Sequence, residues 1–308
     1  MHIALLGASG YIGTEFTRQI DKLGHKLTAI GRSNCDVYSV SSLLSVLEDA
    51  SPDVLINCAG YTGKPNVDAC ELDKANCIAG NAVLPGVINE ACETLGIPWG
   101  HVSSGCIFTG RRSDGGGFTE EDDPNFSFRN NNCSWYSGTK ALGEEVLADA
   151  SNCYIWRLRI PFSNIDSPRN YLSKVQRYEN LLEAENSLSN LPEYVAACLD
   201  CFDKNVAVGI YNLTNPGSVT TSEVVEMIKE AGVCDKEFRF FASEGEFMAK
   251  AAKTPRSNCV MDCSKALNAG LKLSPIHACI RQALANWRPE NREVRIEQQD
   301  LSRSSAGH

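Results

Sequence analysis

Ser104, Cys106, Tyr136 and Lys140 carry the most informative chemistry of this chain. Tyr136 and Lys140 form a Tyr-x-x-x-Lys pair at the start of a predicted helix, so both side chains share one face. A free tyrosine, with a pKa of about 10, is a poor acid–base group at neutral pH, and a neighbouring ammonium lowers that value. Ser104, at the end of a predicted strand, can orient a substrate carbonyl. These three suit a carbonyl reduction, which has no use for a thiol. Cys106 lies two residues beyond the serine, in Gly105-Cys106-Ile107-Phe108. A thiol there could move protons on the carbons beside the carbonyl, because the carbanion delocalises as an enolate. Inversion of such a carbon needs a base on one face and an acid on the other. The competing explanation is a thiol buried for packing alone.

A second cluster reads as a dinucleotide site. Gly7, Gly10 and Gly13 sit in GASGYIG, with Ser9, Tyr11 and Ile12 between them, after a strand and at the opening of a helix. The spacing allows a tight turn, close backbone approach to a pyrophosphate and a helix N-terminus facing the anion. The second strand ends Ala29-Ile30-Gly31-Arg32, without the acidic residue that would hold the ribose hydroxyls of NADH. Arg32 can accept a 2′-phosphate, which favours NADPH, with NADH as the alternative and a solvated arginine as the plainer reading. Asp36 and Val37 are placed to flank the adenine. Cys58, Ala59 and Gly60 close the third strand with small residues that let the backbone approach the cofactor.

The elements that must position these groups alternate. His2–Leu6, Leu27–Ile30, Val54–Cys58, Trp99–Ser103 and Cys153–Leu158 read as strands, and Tyr11–Leu23, Val40–Asp49, Val67–Leu95 and Trp135–Ala150 as helices. The fold class is therefore α/β, a Rossmann-type doubly wound parallel sheet with a smaller C-terminal substrate lobe. Residues 1–160 form the nucleotide domain, to which 186–214 return. Residues 161–185 and 215–287 form the lobe, and 288–308 a flexible tail. The stretch Gly110–Cys133, with three consecutive glycines and an acidic run, reads as a mobile loop flanking the active site.

Bulk properties exclude several classes. A formal net charge of −9 lacks the basic face of a nucleic-acid binder. No apolar run approaches the ~18 residues of a membrane span, and no signal peptide is visible, so the expectation is a cytoplasmic protein. The 14 cysteines are scattered without a Cys/His ligand set, so no metal site is expected and most thiols should be small core hydrophobes.

GASGYIG, NCAG, HVSS and YSGTK make the chain resemble the extended short-chain dehydrogenase/reductases over essentially residues 1–287. NCAGYTGKPNVDACE, SSGCIF, PRNYLSKVQRY, NLTNPG and TPRSNCVMD are similar, within that family, to plant and viral UDP-4-keto-6-deoxyglucose 3,5-epimerase/4-reductases, which make UDP-L-rhamnose. The resemblance to dTDP-4-dehydrorhamnose reductases, which lack a cysteine at the position of Cys106, is more distant. The resemblance to the epimerase/reductases implies Ser104, Tyr136 and Lys140 as the reducing set, and Cys106 with Lys174 as the epimerising pair. It also implies Pro161, Tyr136 and Lys140 at the cofactor, and Arg169, Asn170, Arg177, Tyr178 and Arg256 at the nucleotide sugar, with Arg256 on the diphosphate. A homodimer is implied too. Dehydratases of this family carry Asp-Glu where this chain has Gly105-Cys106, so the ketosugar must come from a separate 4,6-dehydratase. Two alternatives stand beside this reading. One is a dTDP-4-dehydrorhamnose reductase without epimerase activity. The other is a non-catalytic NADP-binding subunit resembling the methionine adenosyltransferase beta subunit.

Overall fold

A computed structural model describes residues 1–64 and 66–289. Short apolar runs give six parallel strands: β1 (His2–Leu6), β2 (Lys26–Ile30), β3 (Val54–Asn57), β4 (Trp99–Ser104), β5 (Cys153–Leu158) and β6 (Ile210–Asn212). They lie in the order β6-β5-β4-β3-β1-β2. Along β1, Ile3 and Leu5 face one core with Phe16 and Ile20 of helix α1 (Tyr11–Lys22), while Ala4 and Leu6 face another with Leu43 and Leu47 of α2 (Val40–Ala50). Period-two alternation with apolar residues on both faces is what a sheet covered on both sides requires. The order reverses between β1 and β3, and ligands of open parallel sheets bind at such a switch point, outside the carboxyl ends of the strands. GASGYIG follows β1 there and Cys58–Gly60 follow β3.

The single helix expected over Val67–Leu95 is instead four pieces. A 3-10 turn (Val67–Glu71) leads into α3 (Lys74–Ile78), a π turn (Ala79–Val83) and α4 (Leu84–Leu95). The break has a packing cause. A Cβ on Gly143 would stand 2.1 Å from the Asn81 carbonyl, so the π turn presses its backbone directly onto α5 (Trp135–Val146). Single-turn π segments inside helices often mark functional sites.

A second core gathers Phe162, Leu172 and Val175 with Val224, Ile228 and Ile280. They come from α6 (Tyr171–Arg177), α8 (Thr221–Glu230), the helix Ile276–Ala285 and the short strand Pro161–Phe162 after β5. Between these two units α7 (Leu191–Asp203) packs on the main sheet before β6, the edge strand beside β5.

The Gly110–Cys133 segment is anchored rather than mobile. Single bridges join Gly110 to Cys259 and Phe118 to Met261, and the Phe108 and Phe118 rings stack with centroids 4.6 Å apart. Glu120, without an assigned purpose in the sequence, accepts the Asn212 backbone N–H at 2.7 Å and covers the sheet edge. Of the expected tail, Arg288 still pairs with Asn164 and Asp166, and residues 290–308 lie outside the described residues. All 14 cysteines are free, and Cys58, Cys133 and Cys234 alone are partly exposed. Cys198 and Cys201 form a Cys-x-x-Cys pair on α7, but both thiols are buried in the core and burial raises both, so they are packing residues. Among the described residues no His/Cys/Asp/Glu cluster could hold a metal, and no helix is long and apolar enough to cross a membrane.

Candidate active site

The glycine turn explains itself at two positions. Gly7 has φ +79°, and a Cβ there would lie 2.7 Å from the Ala59 backbone nitrogen, so the β1 and β3 turns touch. A Cβ on Gly13 would fall 2.1 Å from the Gly7 carbonyl oxygen. Helix α1 opens with no side-chain cap and no acid in its first turn, which leaves its first N–H groups free for an anion. Ser9, Gly10 and Arg32 are exposed around this turn, and Tyr11 and Ile12 are half-buried on α1. Cys58, Ala59 and Gly60 border the same turn. Asp36 is exposed with its carboxylate on the Tyr38 N–H, and Val37 is buried in the core under α2. A dinucleotide pyrophosphate fits this cradle.

The catalytic candidates converge at the end of β4. Ser104 caps a 3-10 turn, accepting the Cys106 N–H at 3.2 Å. Cys106, 6% exposed, packs with Phe108, Phe118, Cys259 and Met261, and Tyr136 leans on the same cluster. Helix α5 begins at the Ser134 cap, and the Trp135 N–H is held by Glu71 at 2.8 Å. Tyr136, Lys140 and Glu144 then line one side of α5. Lys140 is buried and donates to the Val102 carbonyl at 3.0 Å. Glu144 takes the Ser103 hydroxyl and the Nε and Nη2 groups of Arg157, a buried ion pair at 2.7 Å.

Burial governs the proton affinities here. It pushes the Tyr136 phenol up, aided by the neighbouring Cys106, against the pull of the Ser104 hydroxyl. The expected lowering of Tyr136 by an ammonium is therefore reversed in this site. Burial likewise raises Cys106, partly offset by Ser104, Arg159 and Ser137. It lowers Lys140 and Lys174, the latter helped by Arg169.

The residues expected at the nucleotide sugar divide. Asn170 is fully buried and caps α6: its oxygen takes the Leu172 N–H and its amide bonds the Ser163 and Ile165 carbonyls. It has no polar group left for a ligand, so its expected place in the pocket is corrected to a structural one. Arg177 is tied to Asp166 on the surface at 2.7 Å. Lys174 is half-buried on α6, Tyr178 is exposed just beyond it, and Pro161 follows β5. Ile160, just before that proline, holds φ +39°, a costly conformation for a β-branched residue. Arg169 reaches Thr62 and the Gly63 carbonyl, both at 3.3 Å. Arg256 grips Asp68 through two bonds, at 2.7 and 2.8 Å.

The Asp68–Arg256 pair has a pH signature. Partial burial raises Asp68, but the hydrogen bonds and charge of Arg256, with Lys253, win and leave it below the ordinary aspartate value. A depressed carboxylate stabilises the fold above its unfolded pKa of about 4, and the benefit disappears as pH falls through the folded value. Asp68→Asn is therefore expected to cost about 1 kcal/mol at neutral pH, between an exposed and a buried pair. Urea unfolding of both proteins should show that gap flat above about pH 5 and closing towards pH 3.

Three residues have no role in the sequence patterns: Asn81, outside every motif, and Asn57 and His101, present in NCAG and HVSS. Asn81, in the π turn, ties the Gly60–Tyr61 loop to α5, bonding the Tyr61 carbonyl at 2.9 Å and Thr139 at 3.1 Å. Asn57 and His101 lie buried beneath Lys140. No local pattern signals the first, because the stretch around Asn81 reads as one helix, whereas a histidine in a buried strand signals the others.

The model of the RmlD substrate binding domain matches residues 1–288. The chain is 34% identical over 267 residues to the bifunctional dTDP-4-dehydrorhamnose 3,5-epimerase/dTDP-4-dehydrorhamnose reductase of Arabidopsis thaliana, covering 85% of each. It is also 34% identical over 266 residues to a trifunctional UDP-glucose 4,6-dehydratase/UDP-4-keto-6-deoxy-D-glucose 3,5-epimerase/UDP-4-keto-L-rhamnose-reductase of that plant. That match covers 85% of this chain but 38% of the relative, so the chain spans well under half of the longer protein. The crystal structure of a UDP-rhamnose synthase from Acanthamoeba polyphaga mimivirus shares the fold, with TM-score 0.84, 23% identity, and 93% and 100% coverage of the two chains. With a family match that runs through almost every described residue, and a switch-point site on a doubly wound sheet beneath it, the chain belongs to the RmlD substrate binding domain family.

Proposed function

We propose that this chain is an NADPH-dependent 3,5-epimerase/4-reductase that converts UDP-4-keto-6-deoxyglucose to UDP-L-rhamnose. The observation that carries the reading is the buried cluster that holds Cys106, against which Tyr136 packs, directly after the Ser104 cap. A thiol and a phenol then serve the same ketone. The Arabidopsis relatives, whose names pair epimerase with reductase, support it.

In this reading the chain first labilises hydrogens at carbons 3 and 5. Burial favours the neutral forms of both candidates, a thiol at Cys106 and an amine at Lys174. That polarity suits Lys174 as base and Cys106 as acid. Ser104 orients the 4-keto oxygen, and Tyr136, kept protonated by burial, donates to that oxygen during reduction. NADPH supplies the hydride for carbon 4. The diphosphate displaces Asp68 as the partner of Arg256, with Arg169 beside it. The ketosugar comes from a separate dehydratase: Met261 sits 2.1 Å from any Cβ at position 105, where the resembling dehydratases carry aspartate. The half-exposed Val83 and Val146 on neighbouring segments of the α4 and α5 face suit a homodimer, which sedimentation velocity checks.

Gly13→Ala tests the cofactor part. Its methyl meets backbone rather than a movable side chain, so NADPH affinity is expected to fall by at least about tenfold, or ~1.4 kcal/mol, by fluorescence titration. The whole reading is tested by incubating the protein with NADPH and UDP-4-keto-6-deoxyglucose in deuterated water. Deuterium at carbons 3 and 5 of UDP-L-rhamnose is the expected NMR result. The apolar packing of Cys106 against Phe108 and Met261 favours a second reading, a reductase in which the thiol only fills space. That reading predicts no deuterium at either carbon, and turnover only of the already epimerised 4-keto-L-rhamnose nucleotide.

A further inference from the structure

Asn57 on β3 and His101 on β4 are register partners in the parallel sheet, so their side chains leave it on the same face, under α5. Asn57 Nδ2 lies 3.0 Å from His101 Nδ1, and His101 Nε2 lies 3.4 Å from Lys140 Nζ. Asn57 is 0% exposed, His101 1% and Lys140 5%, so water does not intervene freely. The direction of the chain follows from its far end. Asn57 Oδ1 accepts the Ala59 backbone N–H at 3.0 Å. A backbone N–H can only donate, which fixes the amide and makes Nδ2 the donor to His101 Nδ1. Burial, with the charge of Lys140, holds His101 well below the ordinary histidine range, so the ring is neutral. A neutral imidazole whose Nδ1 accepts must carry its proton on Nε2. An N–H therefore points at the lysine nitrogen.

We infer that Asn57 and His101 are positioning residues that lock the Nε2–H tautomer against Lys140, and so set the pH range in which the Tyr136–Lys140 pair works. An N–H dipole aimed at Nζ opposes the ammonium and offers a hydrogen bond to the free amine. The other groups facing Lys140 act the opposite way: Cys106 after β4, Cys77 on α3 and Glu144 on its own helix all favour the charged form, while burial opposes it. Around His101 stand the Trp99 ring, with centroids 6.2 Å apart, and the Cys153 thiol of β5 near its backbone. The array ends at the Ala59 N–H, a group that cannot pass protons to solvent. It is a tuning device and not a proton wire. The inference rests on reading Tyr136 and Lys140 as the reducing pair, but its direct test needs no substrate.

The test is NMR of protein labelled with 15N-histidine and 13Cε-lysine, without and with NADPH. His101, assigned by the signal lost in His101→Gln, is expected to show an unprotonated Nδ1 and a protonated Nε2 from about pH 6 to pH 9. In Asn57→Asp the carboxylate accepts Nδ1–H and turns a lone pair toward Lys140. The Lys140 titration is then expected to move up by about one pH unit, the scale of a new favourable contact to a charged group. The alkaline limb of ketone reduction should move with it. A wild-type ring protonated on Nδ1 would overturn the inference, as would a tautomer switch that leaves the lysine titration in place. The wild-type spectrum decides the first point even if Asn57→Asp does not fold. Failure of the ketosugar assay alone would strike the proposed function and leave these signals readable.

Discussion

Cys106→Ser is expected to remove deuterium exchange at carbons 3 and 5, while reduction of a ketosugar already in the L-rhamno configuration continues. A serine hydroxyl keeps the size of the thiol but titrates far above it, so the acid–base step should slow by ~10²–10⁴-fold. Tyr136→Phe is the reciprocal experiment. It should lower reduction by the same order and slow exchange less, because the phenol protonates the carbonyl oxygen in reduction but shares the enolate charge on that oxygen with Ser104 during exchange. Exchange read by NMR and NADPH oxidation read by absorbance separate the two steps. Equal loss of both in Cys106→Ser would mean that the thiol supports the cluster of Phe108, Phe118 and Met261 and does no chemistry.

Glu144→Ala should produce the largest loss of stability. Glu144 and Arg157 have side chains 7% and 3% exposed and meet at 2.7 Å, with the Ser103 hydroxyl on the same carboxylate. Removing one partner of such a pair strands the other charge out of water, at about 3–5 kcal/mol. Thermal unfolding should move down by roughly 10 °C, at about 2–4 °C per kcal/mol. Replacing both residues, as in Glu144→Met with Arg157→Met, should recover much of that loss, because no charge remains unpaired. The loss should also reach the site, since Ser103 is the neighbour of Ser104 on β4.

The first five strands and the outer helices were legible because burial imposes local periods on the sequence. Ile3, Leu5 and their alternate neighbours had to be apolar on both faces, and GASGYIG could sit only where β1 turns into α1. Ser104, Tyr136 and Lys140 were legible as residue types at a spacing. What stayed hidden is pairwise. Asp68 and Arg256 are 188 residues apart in sequence, and no local pattern announces that one carboxylate will hold the arginine expected at a diphosphate. Asn170 had the right neighbours for a ligand contact, but its cap on α6 uses up its polar atoms. The π turn inside Val67–Leu95 depends on Gly143 in another helix, so the period of that stretch alone reads as unbroken. The anchoring of Gly110–Cys133 depends on partners far along the chain, Cys259 and Met261, which its glycine content conceals.

Met261 also bears on how this site can diverge. Its sulfur stands where the first carbon of any side chain at position 105 would go, and it is wedged against Phe108, Phe118 and Cys259. Aspartate at 105 therefore meets a filled space before it can offer a new carboxylate. The thioether is the flexible end of its side chain, so aspartate at 105 requires Met261 to swing out of the Cys106 cluster or a smaller residue at 261. The residue at 105 and the packing around Cys106 are thereby coupled, and a change at either position is felt at the other.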